Sequence, residues 1–308
     1  MLQSILNGLV MGGIYAIIAL GYTMVYGILV LINFAHGEIL MVGAYAGVLS
    51  MATFTFAGQM ESLGVLPCLA ASMVAAGAVS GIYGFALERV AYRPLRHAPV
   101  LAPHISAIGM SILLQNFVRI AQGPAPVYFP VHRPAFQAVF GQARNLDVAG
   151  AVVTPLHLFI LVLSVVLMGG LYAFVQTTRL GKAMRATSED KMMAGLVGIS
   201  IDRVISITFV IGSVLAAVAG VLLTLFTTQA KYDMGFMAGM KAFTAAVLGG
   251  IGNLRGAMLG GVVLGLAEAV GIHYFGADYK EVYAFLVLLA ILVIRPKGIL
   301  GERVADKV

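Results

Sequence analysis

The chain has 308 residues, 60% of them hydrophobic and 10% charged, with a mean hydropathy of +0.98 and a formal net charge of +6. This balance excludes an ordinary soluble domain, and repeated apolar stretches of about 20 residues exclude a protein held by a single anchor. The lone cysteine, Cys68, excludes an internal disulfide framework.

Taken in chain order, the apolar segments predict helices over 5–31, 38–57, 63–88, 104–121, 155–176, 204–228, 238–252 with 256–275, and 281–295. The expected architecture is an all-α polytopic membrane protein, a single transmembrane domain over 1–308 with about eight crossings. The first segment has no basic n-region and stays apolar to Val30, so it reads as a retained helix and not a cleaved signal. It ends in Asn33-Phe34-Ala35-His36-Gly37-Glu38, and a second apolar segment starts at once. Ionisable groups at such a break point to a pathway or gate if the break lies at membrane depth.

Glu88 adjoins Arg89 and reads as an interfacial charge pair. The link 89–103 carries Arg89, Arg93 and Arg96, and its prolines Pro94, Pro99 and Pro103 interrupt any helix. His104 then stands at a helix start, where capping is its expected role. Gln115, Asn116 and Arg119 lie near the outer end of the fourth segment, and Arg119 can snorkel to the surface. The stretch 122–154, with Arg133 and Arg144, reads as an exterior loop anchored at the interface by Tyr128 and Phe129. His157 is expected at an interface.

Residues 177–203 are a charged island that must lie in water, expected as a continuous helix over 183–198 with an apolar stripe of Met184, Met192 and Leu196. Five basic residues fall in this island, three in 89–103 and four from Arg295 onward (Arg295, Lys297, Arg303, Lys307), which is 12 of the 19 Lys and Arg. All three regions fit one side, and by the positive-inside rule that side is cytoplasmic. The same placement makes these cations topology signals, so no nucleic-acid partner is expected.

Gly212, Ala216 and Gly220 repeat every four residues and predict close backbone packing, within the bundle or against another subunit. Met234, Met237 and Met240 read as helix packing. Segment 238–252 is short for a crossing and ends in Gly249, Gly250, Gly252, Asn253 and Arg255. Placed beside each other, 32–47 and 251–265 share an Asn, a Gly and small residues. Two interrupted or re-entrant helices in the two halves point to a transport site near the midplane. The candidate pathway is therefore Asn33, His36, Gly37, Glu38, Gln115, Asn116, Gly249, Gly250 and Asn253. Glu268 is expected to pair with Lys241 or Arg255.

No P-loop occurs, and Gly181-Lys182 is followed by Ala183. Zinc, redox and nucleophile-elbow motifs are also missing, so no cofactor, metal or catalytic role is expected. If the protein pumps, its energy arrives from another chain.

The segments INFAHGE from Ile32, ERVAYRPLR from Glu88, ISAIGMSILLQN from Ile105 and GFMAGMKAFTAAVLGGIGNLRGAMLGG from Gly235 resemble the high-affinity branched-chain amino acid permeases of ABC importers (LivH type). The likeness spans nearly the whole chain outside 122–154. It implies a multi-pass permease of the bacterial inner membrane that pairs with a second, related permease, two cytoplasmic ATPases and a periplasmic or extracellular substrate-binding protein. Leucine, isoleucine and valine are the usual cargo, with amides, urea or other amino acids in some relatives. The family's coupling role falls by this resemblance on Arg185, Glu189, Asp190, Ala194 and Gly198. Arg255 stands where the family often has proline.

Two other classes compete. A self-sufficient transporter would use His36, Glu38 or Glu268 to carry protons, whereas an intramembrane enzyme would need a nucleophile–base pair that the sequence does not bring together.

Overall fold

The computed structural model describes residues 1–96, 98, 99, 101–141, 145–148 and 150–301; Arg144, Arg303 and Lys307 lie outside them. The helices are α1 (Leu2–Leu29), α2 (His36–Phe56), α3 (Gln59–Ser62), α4 (Val65–Leu87), α5 (Leu101–Gln122), α6 (Pro134–Phe140), α7 (Pro155–Thr177), α8 (Arg179–Glu189), α9 (Lys191–Leu196), α10 (Ile201–Thr227), α11 (Met234–Gly249), α12 (Leu254–Phe275) and α13 (Lys280–Ile294). Seven of the described helices are long and apolar enough to cross a membrane. The sequence reading expected about eight, but α11 and α13 have only 16 and 15 residues. At 1.5 Å per residue each spans about 24 Å or less, short of a ~30 Å hydrocarbon core.

Helices that are apolar on every face pack best when surrounded. The most apolar windows of α1, α10 and α2 are 89%, 72% and 61% buried, against 28% for α5 and 22% for α7. So α1, α2 and α10 form the centre, with α5 and α7 at its edge. α12 lies along α1, and Gly12 and Gly265 face each other so closely that a Cβ at either would strike the opposing backbone. The Gly212–Gly220 repeat also works inside the bundle: Gly212 rests on Gly21 of α1, and Gly220 on Leu40 and Ala44 of α2.

The 122–154 segment has more order than its composition suggests. β1 (Val127–Tyr128) pairs antiparallel with β4 (Gln229–Ala230), and β2 (Leu146–Val148) with β3 (Ala151–Val153). Tyr128 is exposed, but Phe129, expected beside it as an interface anchor, is buried and meets Phe136 edge-on, with ring centroids 6.0 Å apart. His157 does more than sit at an interface. It forms a capping box with Thr154, whose Oγ1 accepts from the His157 N–H at 3.2 Å, just ahead of α7.

Candidate functional site

The chain turns back after α1. Val30 takes a left-handed conformation (φ 60°), its N–H donating to the Tyr26 carbonyl at 2.7 Å. Asn33 then holds the return: its Oδ1 accepts from the Ala35 N–H at 3.1 Å and from the Tyr92 hydroxyl at 3.0 Å. As a result α2 does not start level with the end of α1. His36 packs on Gly21 of α1 and Gly212 of α10, about 12 Å back along α1 from Leu29. Its ring stands edge-on to Tyr22, with centroids 4.6 Å apart.

The first turn of α11 arrives at the same place. Gly37 touches the backbone of Gly235 and Gly239, where no larger residue fits. Glu38, 1% exposed, accepts from the Ser111 hydroxyl of α5 at 3.3 Å, while its Oε2 has no hydrogen-bond partner among the described residues. From this junction α2 runs toward the end that holds β1 and β4, and α11 runs toward the end that holds α8.

The other expected pathway residues lie elsewhere. Gln115 is half-buried on α5, and Asn116 is exposed, its Nδ2 donating to the Ile112 carbonyl at 2.8 Å. Gly249, Gly250 and Asn253 form the α11–α12 turn. Asn253 caps α12 by accepting from the Arg255 and Gly256 N–H groups at 3.0 and 3.2 Å. Its Nδ2 donates to the Leu300 carbonyl at 2.9 Å, and the Leu300 N–H donates to the Gly249 carbonyl at 3.0 Å, so this turn clasps the segment after α13. Arg255 supplies one of the N–H groups that cap α12, a bond proline could not make, and its guanidinium bonds the Tyr172 hydroxyl.

Two further polar clusters form. Lys241 lies 2.5 Å from Glu268 and 3.2 Å from Glu281, and the Tyr15 hydroxyl donates to Glu268 at 2.9 Å. The pairing of Glu268 with Lys241 was expected, but Tyr15 and Glu281 were missed. Tyr15 and Tyr22, seven residues apart on one face of α1, were the available signal. In the second cluster Glu88 pairs with Arg96, not with the adjacent Arg89, and accepts from the Ser206 hydroxyl at 2.8 Å. Asp202 takes Arg96 as well, together with Arg93 at 2.6 Å.

Residues 4–294 match the family described as branched-chain amino acid transport system / permease component. The chain belongs to this permease family. It is 47% identical over 308 residues to the high-affinity branched-chain amino acid transport system permease protein BraD of Pseudomonas aeruginosa, covering 100% of this chain and 98% of that one. It is 46% identical over 307 residues to the LivH permease of Escherichia coli K12, covering 100% and 97%. The probable LivH permease of Methanocaldococcus jannaschii is 27% identical over 317 residues, covering 97% and 92%. This permease is a multi-pass protein of the bacterial inner membrane, and its family is one of transport permease components.

The expected coupling segment of the permease is not one helix. α8 ends at Glu189, and Asp190 breaks the run by capping α9, its Oδ1 accepting from the Met193 N–H at 3.0 Å. Gly198 follows α9 at φ 88°, and the Ile199 N–H closes the turn on the Ala194 carbonyl at 3.0 Å. Arg185 is tied to Gln176 of α7 at 2.8 Å, and Ala194 is buried. The expected stripe divides: Met184 is buried under α8, whereas Met192 and Leu196 are about three-quarters exposed, beside Met193 and Val197. A cavity of about 70 Å³ bordered by Met184, Arg185 and Ser188 also touches Gly252, so α8 sits directly beneath the α11–α12 turn.

Proposed function

We propose that this permease forms one half of the translocation pathway of an ATP-driven importer for branched-chain amino acids, working with a second related permease, two cytoplasmic ATPases and an external substrate-binding protein. The cargo rests on the 46–47% identity over full length to permeases named for that transport. The observation that carries the transport reading is the junction at His36–Glu38, where α2 and the shorter α11 start at the same depth and run to opposite ends. Helix N-termini carry partial positive charge and suit the carboxylate of an amino acid. Glu38, with its free Oε2, suits the ammonium. Between two permeases the exposed side of α5, with Gln115 and Asn116, faces the same path.

The Lys and Arg excess of 89–103, 177–203 and the segment after α13 supports a cytoplasmic side for α8 and α9. Arg185, Glu189, Asp190, Ala194 and Gly198 then carry the ATPase coupling. The exposed methionines and Leu196 form the contact, and the cavity beneath Gly252 passes its motion to the α11–α12 turn. Gly249, Gly250 and Asn253 serve the path by transmitting this movement.

The test is leucine uptake into liposomes that hold the complex purified through this chain. A second permease and P-loop ATPases should co-purify, uptake should need ATP, and Glu38→Gln should lower it by about tenfold or more with assembly intact. Uptake by the chain alone, abolished by an uncoupler and indifferent to ATP, would replace this reading with a proton-coupled transporter.

A further inference from the structure

Two hollows join along the outer surface where α4 and α10 meet. One, about 500 Å³, lies at the cytoplasmic helix ends and is bordered by Arg89, Arg93, Arg203 and Ser206. The other, about 660 Å³, runs along the span with only apolar walls, floored by Gly77 and Gly81 against Val210 and Val214. Phe85 and Val210 border both, so the two are one continuous groove with a basic head and an apolar tail. From Arg203 to Val218 it covers about 22 Å of helix, longer than the ~15 Å hydrocarbon depth of one leaflet.

The charge at the head is unbalanced. Four guanidinium groups (Arg89, Arg93, Arg96, Arg203) face two carboxylates, Glu88 and Asp202. Those carboxylates are taken up by Arg93 and Arg96, leaving Arg89 and Arg203 without an ion pair among the described residues. A basic pocket at the leaflet surface, opening into an apolar slot between two spanning helices, matches the chemistry of an anionic phospholipid. We infer that the α4–α10 groove binds one anionic phospholipid, its phosphate held by Arg89 and Arg203 and an acyl chain lying over Gly77 and Gly81. A helix of a second permease would fill the tail of this groove but leave the two free arginines unanswered.

Native mass spectrometry of the assembled transporter, titrated with phosphatidylglycerol or phosphatidylcholine, tests the inference. Phosphatidylglycerol should be retained in preference, and Arg89→Gln with Arg203→Gln should weaken that retention by about thirtyfold. These arginines are at the surface, so the double variant should fold; Gly81→Leu, which fills the slot, should also lose the lipid. Lys231→Ala, at the other end of the molecule, should keep it. Equal retention of both lipids, retention unchanged in the double arginine variant, or cross-linking of Val74→Cys to a second permease across the groove would each overturn the inference.

Discussion

Lys241 ties α11 to two neighbouring helices by charge. It is 8% exposed in an otherwise apolar half-helix, and its ammonium reaches carboxylates on both α12 and α13. An ionised group at such depth is tolerated only with partners, and Tyr15 supplies the remaining hydrogen bond to Glu268. Lys241→Met should therefore leave Glu268 buried with the tyrosine alone, at a cost of about 3–5 kcal/mol. Lys241→Met together with Glu268→Met should recover most of the loss, because the one carboxylate left without Lys241, Glu281, is 31% exposed and reaches water. Thermal unfolding of the purified permease in detergent reads both. A single variant that melts with the wild type would show that the pair contributes nothing to holding α11 in place. The partnership of Lys241 and Glu268 was visible in the sequence because charges are so scarce in these segments. Glu281 was hidden, since nothing in a linear reading brings the start of α13 beside the middle of α11.

At the scale of elements, the hinge between α8, α9 and α10 is made by two side-chain choices. Asp190 turns one helix into two, and Gly198 ends the second in a left-handed turn. A Cβ at Gly198 would meet nothing within 4 Å among the described residues, so the glycine is needed there for its backbone angle and not for a close contact with them. A β-branched residue there costs about 1–2 kcal/mol, whereas asparagine enters that conformation more readily. Gly198→Val should therefore lower ATP-driven uptake several-fold at unchanged membrane abundance, and Gly198→Asn should keep most of it. Equal uptake by the two variants would separate the turn from coupling. The long apolar helices were legible because their length and composition leave few alternatives. The break at Asp190 was not, although a Ser-Glu-Asp run inside a charged helix is a place where a new cap competes with continuation. Two-residue strands such as β1 and β4 leave no periodic trace at all, and they depend on partners 101 and 103 positions away.

Across the whole molecule one construction occurs twice. A long central helix, α1 or α10, ends in a left-handed residue, and a second helix then starts at the shared junction. Val30 and Thr228 are the two non-glycine residues with positive φ among those described, at 60° and 61°. The sequence comparison instead set the first break beside the α11–α12 turn, drawn by Asn33 and Asn253. Both asparagines do accept backbone N–H groups in tight turns, but only the first lies at the junction. The true counterpart of His36 is the start of α11, whose residues share no motif with it, so the repeat is one of backbone path. Its two corners should respond alike. Glycine at either position removes a left-handed strain of about 1–2 kcal/mol while adding roughly 0.5–1 kcal/mol of chain entropy, so Val30→Gly and Thr228→Gly should be as stable as the wild type or slightly more. Proline fixes φ near −65°, and at position 30 it also removes the N–H that bonds Tyr26. Val30→Pro and Thr228→Pro should each misdirect the following helix and abolish both the monodisperse peak in size-exclusion chromatography and substrate uptake. Wild-type elution and uptake with proline at both corners would mean that the left-handed turns do not direct α2 and α11 to their meeting point.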